Sequence, residues 1–359
     1  MSGAGLHGTD VVVVGLGAAT AIGQSAAATA AAARAGISGF MDHPYMIDAR
    51  GEPFCVAMAP WLPAEMACER RMAELVGLAA QEAMAAVASV PNVERVGAIV
   101  GLPSTRPGLQ PDLPVRLGED LSREVSNGVR VGNVQALSRG HSAGLMAIGA
   151  ACRDLRAGAA TFVLAGGVDS HIDPDTLEWL DALERLHIPT NAWGCMPGEA
   201  AGFCLLCTAA TAARHALPVL GKVASIATAI EANRINTETV CLGKGLTQAV
   251  RRVLGFVPQG ERIDATLCDQ NGEAYRADEF GFTLARTSEA FADPGDFDAP
   301  ADCWGDVGAA SGPLFLVLAA MAAQKAYAPG PRTLLWTSSE SGERCALLFE
   351  ADPAWLGRR

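Results

Sequence analysis

The chain has 359 residues, of which 50% are apolar and 18% charged, against about 25% charged in an average soluble domain. That balance excludes a disordered chain and requires a large buried surface, in one large domain or in two or three smaller ones. With 27 Lys and Arg against 39 Asp and Glu, the net charge is −12, so nucleic acid and anionic membranes are excluded as partners by repulsion from their phosphates.

The first residues, Met1 to Asp10, have no basic stretch followed by an apolar run, so no targeting segment is expected. The apolar run Val11–Gly17 is far short of the about 20 residues needed to span a bilayer. A cytoplasmic protein is expected. The ten cysteines are scattered through apolar surroundings, unlike a disulfide framework. Cys204 and Cys207 form the one CxxC, in a strand-like segment where an offset of three puts them on opposite faces. They read as small buried hydrophobes, not as a metal or redox pair.

Strand and helix patterns alternate along the chain. Val11–Gly15 reads as a strand buried on both faces, and Ala21–Ala35 as an Ala-rich helix. Apolar spacing of three and four predicts an amphipathic helix over Arg70–Val87. Val96–Gly101 is a buried strand, Val129–Ser138 a modest one, and Ser142–Ala157 a helix with little charge in its first half. Thr161–Gly166 and Ala200–Thr208 read as strands. The second half repeats the theme: strand Leu220–Ala229, helix Thr247–Leu254, strand Ile263–Cys268, a helix from Glu273, a loop over Ala290–Asp302, the small-residue helix Gly308–Ala328, and closing strands Thr333–Trp336 and Arg344–Phe349. Alternation of this kind predicts α/β layers with mostly parallel sheets. The two similar halves predict a duplicated unit, 1–210 and 211–359, joined near Thr211–Pro218.

Four segments together resemble the β-ketoacyl synthases of the thiolase-like superfamily: Val12–Gly23, Arg70-Arg-Met and its helix, Arg153–Gly167 with its terminal Leu-Ala-Gly-Gly, and Pro197-Gly-Glu-Ala-Ala-Gly202. The resemblance runs from about residue 10 to 350. It implies a layered αβαβα sandwich, acyltransferase chemistry linked to fatty acids or polyketides, an acyl thioester or acyl carrier protein as partner, no metal or cofactor, and a homodimer pairing the strand near Thr161–Gly166 across a two-fold axis. It also identifies Glu199 as a buried residue that orients backbone.

The family's nucleophilic Cys sits at a helix N-terminus, where the dipole and backbone N–H groups favour a thiolate. The matching position is His141, in Gly140-His-Ser-Ala-Gly-Leu145, and the two family His positions fall on Asp269 and Asp306. The family's late Gly-rich gating loop is replaced by Ser338-Ser-Glu-Ser-Gly342. Carboxylates cannot donate the hydrogen bonds that stabilise an enolate, so ordinary Cys-dependent condensation is not expected. His141, Asp269 and Asp306 are expected to converge, with His141 charged, because neighbouring carboxylates favour imidazolium.

Three functional readings remain at this level. One is an atypical acyl-binding or acyl-transferring protein using His141, Asp269 and Asp306. Another is a pseudoenzyme subunit of a larger assembly. The third is a serine hydrolase, because Gly140-His-Ser-Ala-Gly144 satisfies GxSxG with Ser142 as nucleophile. Gly15-Leu-Gly17 lacks the third glycine of a dinucleotide fingerprint and reads as a tight turn into a helix. His171 and His187 read as loop or surface residues. An acidic carrier would need a local basic patch, for which Arg70, Arg71, Arg251 and Arg252 are the candidates.

Overall fold

A computed structural model describes residues 6–88, 90–126, 128–235 and 237–351. Met1 to Gly5, part of the stretch read for a targeting segment, lie outside the described residues, as do the last residues of the second expected half. In chain order the first half contains β1 (Val11–Thr20), α1 (Ala26–Arg34), β2 (Met41–Ile47), β3 (Pro53–Val56), α2 (Cys68–Met84), β4 (Arg95–Leu102), α3 (Leu113–Arg123), β5 (Val125–Ser126), β6 (Val129–Ser138), α4 (Ala143–Arg156), β7 (Phe162–Ser170), α5 (Pro174–Ala182), β8 (Glu199–Thr208) and α6 (Ala209–Arg214). The second contains β9 (Gly221–Ile230), α7 (Lys244–Leu254), β10 (Ala265–Cys268), α8 (Ala274–Ala285), α9 (Ala301–Trp304), α10 (Ser311–Gln324), β11 (Arg332–Ser338) and β12 (Glu343–Glu350).

The strands before α6 lie in the order β6-β4-β7-β8-β1, and those after it in the order β10-β11-β12-β9. The second series repeats β4-β7-β8-β1. In both, one strand opposes the rest: β8 is antiparallel to β7 and β1, and β12 to β11 and β9, whereas β4 runs parallel to β6 and β7, and β10 to β11. The halves meet where β1 pairs briefly with β9. The mostly parallel, duplicated α/β architecture therefore stands.

The layers follow from which strand faces are apolar. Along β1, Val11 and Val13 face one core and Val12 and Val14 another. α2 covers the outer face of β1 and β8, and α7 that of β9 and β12. Between the sheets lie α4 and α10, whose Leu145, Ile148, Leu314 and Phe315 share the central core. Each such side chain contributes about 1.5–3 kcal/mol by leaving water. α10 carries no charge and is buried nearly all round, as a central helix must be. The CxxC cysteines separate as expected: Cys204 joins the central core and Cys207 the outer one.

Several local expectations are corrected. α1 starts at Ala26, not Ala21, because the Ser25 hydroxyl caps it by accepting from Ala28 N. A one-turn helix, α9, closes the loop expected over Ala290–Asp302. Gly15 and Gly17 lie within β1 and not in a turn. A Cβ at either would run into the carbonyl oxygens of Ala83 and Ala79, so these glycines let α2 pack directly on the strand. The strand expected to pair across a dimer, Thr161–Gly166, falls in β7, and both its edges are occupied, by β4 and β8. Most of the outer edge of β6 is open instead, since β5 pairs only with Val129 and Arg130.

Candidate functional site

Two turns bring the site together. After β6 the chain passes through Gly140, whose φ of +64° suits glycine, and a single 3-10 turn, Gly140–Ser142, leads into α4. After α9 the chain passes through Gly305, φ +73°, to Asp306, and a second 3-10 turn, Gly308–Ala310, leads into α10. His141 and Asp306 thus stand at the starts of the two central helices. Gly144 permits the approach, because a Cβ there would strike the Ala309 carbonyl and the Pro313 ring.

His141 is 6% exposed, and its Nε2 lies 2.8 Å from Asp306 Oδ1. Burial works against a charged ring, but the Asp306 carboxylate outweighs it and raises the His141 pKa above the usual value. Asp306 is held well below the carboxylate range: burial opposes its charge, and His141 overrides that opposition. The pairing therefore favours the charged ring, with Nε2–H donating to Asp306. Asp306 also accepts from Gly308 N at 2.9 Å and from Asn271 Nδ2 at 2.7 Å. Asn271 donates as well to Glu273, which Arg185 grips through two bonds of 2.7 and 3.0 Å.

Asp269 does not join the pair. Its Oδ2 accepts from Arg276 Nη1 at 2.9 Å and from Ser338 N at 2.7 Å. The buried guanidinium of Arg276, absent from the sequence reading, is the hydrogen-bond partner of Asp269, whose charge still favours the cationic form of His141. Ser142 is not arranged as a nucleophile. Its hydroxyl is directed at the carbonyl oxygens of Thr337 and Glu343, each 3.0 Å away, and its N–H donates to Ser339 Oγ at 2.8 Å. Glu199 is fully buried at the start of β8 and accepts from Arg71 at 2.6 and 2.8 Å, Ala59 N at 2.7 Å and Ser170 Oγ at 3.0 Å.

His171, expected in a loop or at the surface, lies in the loop after β7 but is 7% exposed and part of the site. Its Nδ1 donates to the backbone carbonyl of Asp306 at 3.0 Å. Burial, with Arg106 beside it, lowers its pKa, so this ring is neutral. Asp169, two residues earlier, accepts from Arg106 Nη2 at 2.7 Å and from Ala309 N at 3.1 Å. An alternation was available in the sequence: Asp169 and His171 share a face at the carboxyl end of a buried strand, where α/β sheets collect their sites. Arg106 and Arg185 carry no comparable sequence pattern.

His141, His171, Arg106, Asp306 and Cys195 line a cavity of about 60 Å³. That space holds a few waters or a small polar group, well below the about 300–1,000 Å³ of a drug-sized pocket. Cys195 is no nucleophile there: burial and the nearby carboxylates push its thiol well above the usual range. Cys195, Glu273 and Asp306 could converge on a metal, but both carboxylates are already taken by Arg185, Asn271 and His141. A second set, Glu231, Cys241 and Glu279, is also committed: Arg344 pairs with Glu279, and Glu231 accepts from Gly245 N at the start of α7.

The basic candidates divide in the same way. Arg71 is buried on Glu199 and Arg70 pairs with Glu74. Arg251 and Arg252, with Lys244 and Arg286, line an open groove on α7, and the three arginines bond to backbone carbonyls there.

The β-ketoacyl synthase N-terminal domain model matches residues 131–212, the segment that holds His141, His171 and Glu199. No curated protein matches the chain in sequence. Among solved structures, the ishigamide ketosynthase/chain length factor is similar at a TM-score of 0.78 and 17% identity, over 96% of this chain and 99% of that one. A chain of a type II PKS acyl-carrier protein in complex with its ketosynthase, bound to the hexaketide, is similar at 0.75 and 16%, over 96% and 99%. The ketosynthase from module 6 of the bacillaene synthase of Bacillus subtilis 168 is similar at 0.73 and 14%, over 96% and 72%. The chain thus shares the fold of these ketosynthases, and its residues 131–212 are similar to the N-terminal domain of the β-ketoacyl synthases.

Proposed function

We propose that this protein is a non-condensing relative of the β-ketoacyl synthases that binds an acyl group or acyl thioester at the start of α4, with His141 donating a hydrogen bond to its carbonyl oxygen. The observation that carries the reading is the His141–Asp306 pair. A protonated imidazole has no lone pair with which to attack a thioester, so it can donate to an oxygen but cannot take an acyl group. The Ser142 hydroxyl is committed to backbone carbonyls.

The partner that fits is an acidic carrier. The Lys244, Arg251, Arg252 and Arg286 groove offers local positive charge on a chain of net −12, and such charge governs association rate. The open edge of β6 supports a dimer, with a second copy or with a related subunit, since an unpaired strand edge is a template for pairing. Among the described residues no helix is long and apolar enough to cross a membrane. Ten free cysteines fit the reducing cytoplasm.

Intact mass spectrometry after incubation with acyl thioesters tests the reading. We expect no covalent adduct, together with saturable binding of the thioester. A mass increase equal to the acyl group, or carbon–carbon bond formation with a malonyl thioester, would overturn it. Charge reversal of Arg251 and Arg252 should weaken carrier binding about tenfold at low salt, and unchanged binding would remove the groove as the docking surface.

A further inference from the structure

A separate groove of about 780 Å³ opens between the turn of the β2–β3 hairpin, the carboxyl end of α5 and the loop over 184–191. None of its lining residues belongs to the His141 cavity. Its floor is apolar: Phe54 and Leu186 come from a small buried cluster, and Ile188 packs against that cluster. Ile47 stands 59% exposed in its wall, and Leu183, between the lining residues Ala182 and Glu184, is 52% exposed. The walls are tied together. Ala49 N donates to Asp181 Oδ2 at 3.0 Å, and Arg50 Nη1 donates to Thr190 Oγ1 at 3.3 Å. The groove is thus formed before anything enters it.

Its rim is acidic in a way that works against the fold. Glu178, Asp181 and Glu184 line the groove around the last turn of α5, which carries no basic residue. Carboxylates there face the negative end of the helix dipole, where cations are favoured. Glu178 and Asp181, three residues apart on the helix, also repel each other. Glu184 has a φ of +55°, just past the helix end, where glycine is the usual residue because a Cβ is strained in that conformation. Arg50 is held by Asp48, and Arg185 is turned to Glu273 and Glu340, so the three rim carboxylates have no ion-pair partner among the described residues. Asp181 bonds Ala49 N, whereas Glu184 meets Asn191 only through its backbone carbonyl. Charge placed against the dipole, against its neighbours and on a strained residue is explained by what it meets outside the chain.

We infer that this groove docks a basic segment of a partner protein, with an apolar side chain over Phe54 and Ile188 and Lys or Arg side chains on Glu178, Asp181 and Glu184. A cationic occupant offsets both the dipole and the repulsion, and covers Ile47 and Leu183. The inference is independent of the acyl-binding reading, since it uses neither His141 nor the basic groove on α7, which suits a partner of the opposite charge.

The test is calorimetric titration of the full-length protein at low salt. The probes are a ten-residue peptide of alternating Arg and Leu, the same peptide with Ser for Leu, the same with Glu for Arg, and spermine. The Arg–Leu peptide should bind at least about tenfold more tightly than the Arg–Ser peptide or spermine, as expected for one buried apolar side chain, and the Glu–Leu peptide should not bind. Glu178→Gln with Glu184→Gln should weaken the Arg–Leu peptide about fivefold or more. Neutralising two exposed acids elsewhere, Glu94→Gln with Glu289→Gln, should change it less than about twofold. No binding of the Arg–Leu peptide, equal binding of the Arg–Ser peptide or spermine, or equal weakening by the two double variants would overturn the inference. Glu184→Gly tests the premise. It should raise the midpoint of thermal unfolding by relieving the strained residue, while weakening the peptide about twofold or more. A lowered midpoint would show that the fold itself needs Glu184, and the inference would fall with its premise.

Discussion

Two buried ion networks lie a few residues apart along the same strands and do opposite things. At the start of β8, Glu199 meets Arg71, Ala59 N and Ser170 Oγ, and Arg71 spends its remaining N–H groups on the Pro63 and Ala59 carbonyls. At the end of β7, Asp169 and Arg106 pair just as closely, but the Arg106 Nε–H is left over. The first network is closed. The second opens onto a cavity, with the His141–Asp306 pair on its far side. The closed network fixes packing, whereas the second stands beside the His141–Asp306 pair at the cavity.

The sharpest way to break this comparison is to open the closed network. Glu199→Gln should cost about 3–5 kcal/mol in denaturant unfolding, because it strands a buried guanidinium. A loss under about 1 kcal/mol would mean that the pair is not the scaffold described. The next effect is smaller and depends on pH. Asp306→Asn should destabilise by about 1.5–3 kcal/mol at pH 6, the range for a hydrogen bond to a charged group. The His141 pKa is raised in the folded protein, so the stabilisation from its pairing is fully present below the unfolded value of about 6.5 and is lost as pH rises through the folded value. The gap between the two proteins in thermal unfolding should therefore close above neutral pH, and a gap that widens there would show His141 to be neutral. The smallest effect concerns the sheet edge. Asn133 and Gln135 are exposed on β6, and replacing both by Arg should loosen a dimer about fivefold or more, since like charges across paired strands repel. Sedimentation that is unchanged by the double variant would place any dimer contact elsewhere.

Much of the fold was legible before the structure. Buried strands such as Val11–Gly15 and the spacing of Arg70–Val87 follow from local periodicity, which tertiary packing only confirms. The resemblance singled out positions 141 and 306, and the structure brings these two side chains together. The role of Asp269 was not legible. It pairs with Arg276, seven residues on in α8, and no spacing rule reveals which of two nearby groups a carboxylate will face. His171 lies in a loop, one of the two places expected of it, but it is buried there. An imidazole after a strand is usually solvated, and only the approach of the Asp306 loop buries it.

The sequence by itself determined the alternation of strands and helices, the duplication, and the separation of Cys204 from Cys207. These are properties of neighbours in the chain, set by periodicity and residue chemistry. Tertiary structure alone decided which of two aspartates hydrogen-bonds His141, which strand edge stays open, and which carboxylate Arg106 pairs with. Those choices depend on groups 63 to 165 residues apart, such as Arg106 with Asp169 and His141 with Asp306. In the low-dielectric interior a charge pairs with whichever partner packing brings within hydrogen-bond reach.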